Sequence, residues 1–188
     1  LIQSNEDGFK KIDKVLKNDA DISALHIIGH GSAGKILFGN ANLSNDTIKS
    51  YNHTLRSIGQ SLTEDGDILF YGCNVASTEG GKTLISKISE ITKADIAASD
   101  DVTGKGGDWD LEKKVGIVET ENIKVIDYKH YLANGVASVS GYMEEGHSAN
   151  NFNTQEVGSD GYTSVTADNF VVVRESLTTT KLSAVTDV

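Results

Sequence analysis

Proline is absent from the 188 residues and cysteine occurs once, at Cys73. Turns therefore rest on the 19 glycines and on asparagine and aspartate. A single thiol excludes an intramolecular disulfide and every CxxC metal or redox motif, so the cysteine needs another explanation. Positive charge is also scarce: 17 Lys and Arg stand against 27 Asp and Glu, a formal net charge of −10. The only basic clusters, Lys10-Lys11 and Lys113-Lys114, are pairs with acids close by. Such a chain repels nucleic acid and highly phosphorylated molecules at long range. Long apolar runs are missing as well. Ala24 to Ile28 and Ile68 to Tyr71 are far shorter than the ~20 residues that cross a bilayer, and Leu1 to Lys10 has no basic stretch followed by an apolar one, so no signal peptide is visible.

What is present is an alternation of short apolar runs and amphipathic stretches. Phe9, Ile12, Val15 and Leu16 fall at helical spacing, with Ser4 available as a cap. Ala24 to Ile28 reads as a buried strand that ends at Gly29, followed by a loop through Gly34. Ile48, Tyr51, Leu55, Ile58 and Leu62 mark a second helix over Ser44–Leu62. After a turn at Glu64-Asp65-Gly66, Asp67 to Tyr71 is a second strand running into Gly72-Cys73-Asn74. A third helix over Thr78–Thr92 and a third strand over Ala94–Ala98 follow. The order strand, helix, strand, helix, strand predicts an α/β fold with a doubly wound, mostly parallel sheet. Trp109 to Glu112 and Gly116 to Glu119 read as a β-hairpin turning at Lys113-Lys114-Val115, and Ile123 to Tyr131 as a further strand or a closing helix. From Asn134 the chain is rich in Gly, Ser, Asn and Thr, with one strand at Phe170 to Val173. The expected division is an α/β domain over 1–132 and a linker or partial β module over 133–188.

Functional loops of such sheets leave the carboxyl ends of the strands. His30 and Cys73 each stand one or two residues past such an end. A cysteine attacks as thiolate and needs a nearby base or cation to reach that state. Neighbouring strands supply both partners if their loops emerge side by side. Gly31 lets a backbone approach closely, and its N–H together with that of Cys73 would hold an oxyanion.

The blocks ALHIIGHGSAG and DILFYGCNVAS resemble the two signatures of caspase-like (clan CD) cysteine peptidases, in which apolar strands end in His-Gly and in Ala-Cys or Gly-Cys. The stretch from about Gln3 to Thr120, including ASDDVTGKGGDWDLE, is similar to a caspase-like domain near the N-termini of very large bacterial adhesins and cadherin-repeat proteins. The resemblance implies a dyad of His30 and Cys73, a bacterial protein secreted to the cell surface, and self-processing of a large parent chain. It also implies that the fold's usual first strand lies before Leu1. Autoprocessing toxin domains of this group bind inositol hexakisphosphate on a dense basic surface. That surface is lacking here, so no such activation is expected.

Other residues have blander readings. His26 is expected in the core and His53 on the surface, while His130 and His147 have no companions for a metal. Asp100 and Asp101 follow the third strand, where they would line a specificity pocket for a basic residue or simply make a turn, and Trp109 would wall that pocket or pack in the hairpin. Asp108 and Asp110 offer oxygens to solvent or calcium. Ser32 and Asn74 flank the dyad and would support it by hydrogen bonds or, the stronger reading, are simply loop polarity, and Gly104-Lys105-Gly106-Gly107 reads as a connection rather than a phosphate loop.

The expected function is a cysteine endopeptidase acting on a peptide within its own parent chain, with no metal in the catalytic site and no required cofactor, calcium being the ion that suits an acidic surface. The alternative is a non-catalytic module for adhesion or extracellular assembly between copies. A reactive, low-pKa thiol favours the first reading and an inert, buried thiol the second.

Overall fold

A computed structural model describes residues 2–3, 5–124 and 132, together with the backbone of 171–176 and 179–184. Helix α1 spans Gly8–Leu16; the side chain of Asp7 caps it by accepting from Lys10 N at 3.1 Å. Phe9, Ile12 and Leu16 form its buried face. Strand β1 (Ile22–Ile28) follows, then three short strands, β2 (His30–Ser32), β3 (Lys35–Phe38) and β4 (Ala41–Ser44). A 3₁₀ turn over Ile48–Tyr51 leads into α2 (Asn52–Gln60) and strand β5 (Leu62–Tyr71). Helix α3 (Glu79–Thr92) is capped by Thr78, whose hydroxyl accepts from Gly81 N at 3.2 Å. Strands β6 (Asp95–Ala98), β7 (Lys113–Val115), β8 (Val171–Ser176) and β9 (Thr179–Ala184) complete the order.

The main sheet runs β7-β6-β5-β1-β8-β9. Strands β1, β5 and β6 are parallel, and β7, β8 and β9 join antiparallel. A separate antiparallel sheet consists of β2, β3 and β4. The molecule is therefore α/β with a mixed sheet and a small antiparallel one.

Alternation along the strands divides the core in two. Leu25, Ile27, Ile68, Phe70 and Ile96 point into one cluster with the buried faces of α1, α2 and α3 and with Ile36, Phe38 and Leu43. Ala24, Ile28, Leu69, Tyr71 and Ala97 point the other way, against Trp109, Leu111, Ile123 and Leu132. Among the described residues the helices cover one face only, which departs from the doubly wound expectation. The cause is strand order: β1, β5 and β6 advance in one direction, and right-handed crossovers change faces only where that order reverses.

Five expectations shift. The helix expected over Ser44–Leu62 is shorter, because Ser44 ends β4 and Leu62 opens β5, which leaves the 3₁₀ turn Ile48–Tyr51 and α2 between them. The loop after Gly29 is in part strand β2, and the following segment, left unassigned, forms β3 and β4. Glu64-Asp65-Gly66 lies within β5, at the irregular register between the Ile22–Leu62 and Ala24–Asp67 pairs, instead of in a turn. The proposed hairpin turn is itself strand β7, which pairs with the open edge of β6 through Ala98–Lys113 and Ile96–Val115. Val171–Ser176 pairs antiparallel with β1 and extends past the expected strand. Residues 125–131, most of the expected closing element, lie outside the described residues, as do His130, His147 and Ser4.

Candidate functional site at the carboxyl edge of the sheet

Strands β1 and β5 are direct parallel neighbours, with Ile28 opposite Tyr71. The chain after each therefore leaves at the same edge. Gly29 N donates to Tyr71 O at 3.1 Å, which carries the pairing past the strand ends. Gly31 and Gly72 then meet backbone to backbone: a Cβ on Gly31 would stand 2.7 Å from the Cys73 carbonyl oxygen, the Gly72 carbonyl carbon and Val75. Only glycine allows this approach. His30 opens β2 and is half-buried, paired across the small sheet with Leu37. Asn74, in the left-handed region at φ 59°, bends the chain after the cysteine. Asn74 N donates to Asp101 O at 2.6 Å, and Ala76 N to Ser99 O at 2.9 Å, tying this bend to the loop after β6.

The two N–H groups singled out from the sequence converge on one acceptor. Gly31 N and Cys73 N donate to the carbonyl oxygen of Leu132 at 2.9 and 3.4 Å. Leu132 N donates in turn to Thr103 O at 3.4 Å. The Cys73 thiol is fully buried; its Sγ donates to Thr103 O at 3.3 Å and accepts from Thr103 N at 3.2 Å. Burial pushes the thiol pKa above its ordinary value, backbone N–H groups of Thr103, Leu132 and Cys73 itself oppose the shift, and the charge of Asp101 adds to it. Thr103 and Leu132 were not among the sequence candidates. Neither belongs to a periodic pattern, although Leu132 is the last large apolar residue before the Gly- and Ser-rich stretch.

The remaining candidates separate. Asp100 pairs with Lys113, which holds its carboxyl below the usual range, and its backbone N donates to Glu112 Oε2 at 2.9 Å. Desolvation and then the charge of Asp108 raise the pKa of Asp101. Trp109 is buried beside Tyr71, ring centroids 5.7 Å apart, in the same apolar cluster as Leu132. His26 is buried and stacked on Tyr71, with Nδ1 3.0 Å from the Tyr71 hydroxyl, which also accepts from Ile123 N at 2.9 Å. Two acidic groups, Asp67 with Asp95 and Glu119 and Asp101 with Asp108 and Glu112, bring carboxylate oxygens within 4.8 Å of one another. Such oxygens suit a hard cation. Asp110 instead lies 3.7 Å from Lys124.

Taken together, this is an α/β protein whose conspicuous polar constellation, a histidine and a cysteine on neighbouring strand tips, sits at the carboxyl edge of a mixed sheet. The chain belongs to the family described as a domain of unknown function, DUF4347, whose model matches residues 1–132. No curated protein and no solved structure matches the chain. Among the described residues no helix is long and apolar enough to cross a membrane.

Proposed function

We propose that the chain is a caspase-like cysteine endopeptidase that processes its own parent protein. The observation that supports this most directly is the pair of N–H groups, Gly31 and Cys73, donating to a single peptide carbonyl oxygen beside the cysteine. Donors arranged in this way stabilise charge as it develops on a carbonyl under attack, which is the largest catalytic contribution in acyl transfer. His30 takes the thiol proton, the sulfur attacks the peptide carbonyl carbon, and His30 returns the proton to the leaving amine. Water then cleaves the thioester. None of these steps requires a cofactor. The acidic composition fits a secreted or cell-surface bacterial protein, in which calcium would serve structure and not chemistry.

Purified full-length chain is the test. Wild type is expected to split on incubation, and Cys73→Ala and His30→Ala to stay whole. Equal splitting in all three would sink the proposal.

A second reading, a non-catalytic module, draws support from the buried thiol with its raised pKa. The two are separated by what covers the sulfur. If Thr103 and Leu132 cover it as an enzyme's own substrate segment does, iodoacetamide labels Cys73 rapidly once that segment is released. In a module the thiol stays inert.

A further inference from the structure

Leu132 enters the candidate site in the attitude of a substrate. Its carbonyl oxygen takes both N–H groups of the tips, and its own N–H goes to Thr103 O, the acceptor that also takes the Cys73 S–H. Sulfur and Leu132 amide thus converge on one oxygen. The Leu132 N–H also lowers the thiol pKa against the effect of burial. The Leu132 side chain is only 4% exposed, packed in the cluster of Ile28, Tyr71, Trp109 and Leu111. The family match ends at this same residue.

We infer that the bond cut by this site is the chain's own Leu132–Ala133 peptide, with Leu132 held in an apolar pocket walled by Tyr71 and Trp109. This rests on the peptidase reading and names its substrate. The Cys73 sulfur bonds to the Leu132 carbonyl carbon while the C–N bond to Ala133 breaks, and the thiol proton leaves on the Ala133 amine by way of His30. Hydrolysis of the thioester yields a Leu132 carboxylate and restores the thiol. The pocket selects a leucine-sized apolar side chain. A basic residue, the side chain that Asp100 and Asp101 would suit, is disfavoured because the cluster around Leu132 is apolar and Asp100 is already paired with Lys113.

The experiment is intact-mass analysis and N-terminal sequencing of incubated full-length chain, with hydrolysis of a reporter peptide of residues 129–136 as an independent readout. Wild type should give a fragment ending at Leu132 and another beginning at Ala133. Leu132→Ala removes several methyl and methylene contacts, each worth roughly 10-fold or more in such a pocket, so self-cleavage should slow by about 100-fold or more while the reporter is still cut. Leu132→Met should retain most of the rate. Cleavage at another bond, or Leu132→Ala splitting at the wild-type rate, overturns this assignment and leaves the peptidase intact. Failure of wild type to cut either itself or the reporter overturns the peptidase reading and this inference with it.

Discussion

Gly31→Ala tests the contact between the two strand tips. The added methyl would lie 2.7 Å from two backbone atoms of Gly72 and Cys73 and from Val75 Cγ2, against an ordinary carbon contact of about 3.5–4.0 Å. Neither backbone atom is the end of a flexible side chain, so β2 must move away from the Gly72-Cys73 turn by several tenths of an ångström. Overpacking of this kind costs about 1–3 kcal/mol, which lowers the melting temperature by roughly 3–10 °C for a domain of this size. Gly72→Ala is the internal comparison. Its nearest contacts are 3.1–3.2 Å, so its penalty should be smaller. Urea unfolding followed by Trp109 fluorescence reads both, since that ring is buried beside Tyr71. If the site is a peptidase, displacing the Gly31 N–H should also slow self-cleavage on the order of 100-fold, the usual loss for one oxyanion donor. A Gly31→Ala chain that unfolds at the wild-type urea concentration would refute the backbone contact on which the site depends.

Three further perturbations follow. Phe38→Ala empties a fully buried position against Phe9, ring centroids 5.6 Å apart, and should cost about 3–5 kcal/mol in urea unfolding; a loss under 1 kcal/mol would mean that the small sheet does not pack on α1. For Cys73, burial favours the neutral thiol. Its contribution to stability is therefore complete below the unfolded thiol's pKa and is lost as pH rises through the folded value. Wild type should lose stability across that alkaline range more steeply than Cys73→Ala, and parallel pH profiles would contradict the burial. Asp67→Ala leaves Thr120 without the carboxylate oxygen that takes its N–H at 3.0 Å and its hydroxyl at 2.6 Å. Each hydrogen bond to a charged group is worth about 1.5–3 kcal/mol, so amide exchange at Thr120 should accelerate by 10-fold or more, and unchanged protection would rule the anchor out.

The strands β1 and β6 and the Asp67–Tyr71 half of β5 were legible because each is a short, mostly apolar run buried on both faces, whereas the polar start of β5 carried no such signal. The helices were legible, apart from the ends of the second, because Phe9, Leu55 and Ile88 recur with their neighbours at one face's spacing. Strands β2 to β4 were not. Three or four residues are too few to establish a period, and what buries Ile36, Phe38 and Leu43 is the helical side of the core, a tertiary fact. The misplaced hairpin carried its own warning: Lys113-Lys114-Val115 contains no Gly, Asn, Asp or Pro, the residues a tight turn uses. Val115 lies against the helical-side core, and Lys113 finds Asp100, so the segment pairs with β6 instead of reversing.

The site was half legible for a related reason. Two glycine-flanked polar residues after apolar strands place themselves, because parallel neighbours must release their chains at one edge. What lies over them comes from far along the chain and is held mainly by backbone groups, which leave no trace in side-chain identity. Thr103 contributes its main-chain N–H and C=O to Cys73, and Leu132 its carbonyl to Gly31 and Cys73. The same dependence explains why the thiol is buried although it stands at a strand tip. An open edge would expose Cys73 to water, whereas here the chain's own Leu132 peptide occupies the two donors and its side chain joins the apolar cluster beneath the sulfur. The burial that counts against a reactive thiol and the occupied donor pair that counts for an enzyme have one origin. Whether the strap is a substrate or a permanent cover is decided at its own bond: a substrate strap is cut after Leu132 when wild type is incubated, whereas a permanent cover stays whole.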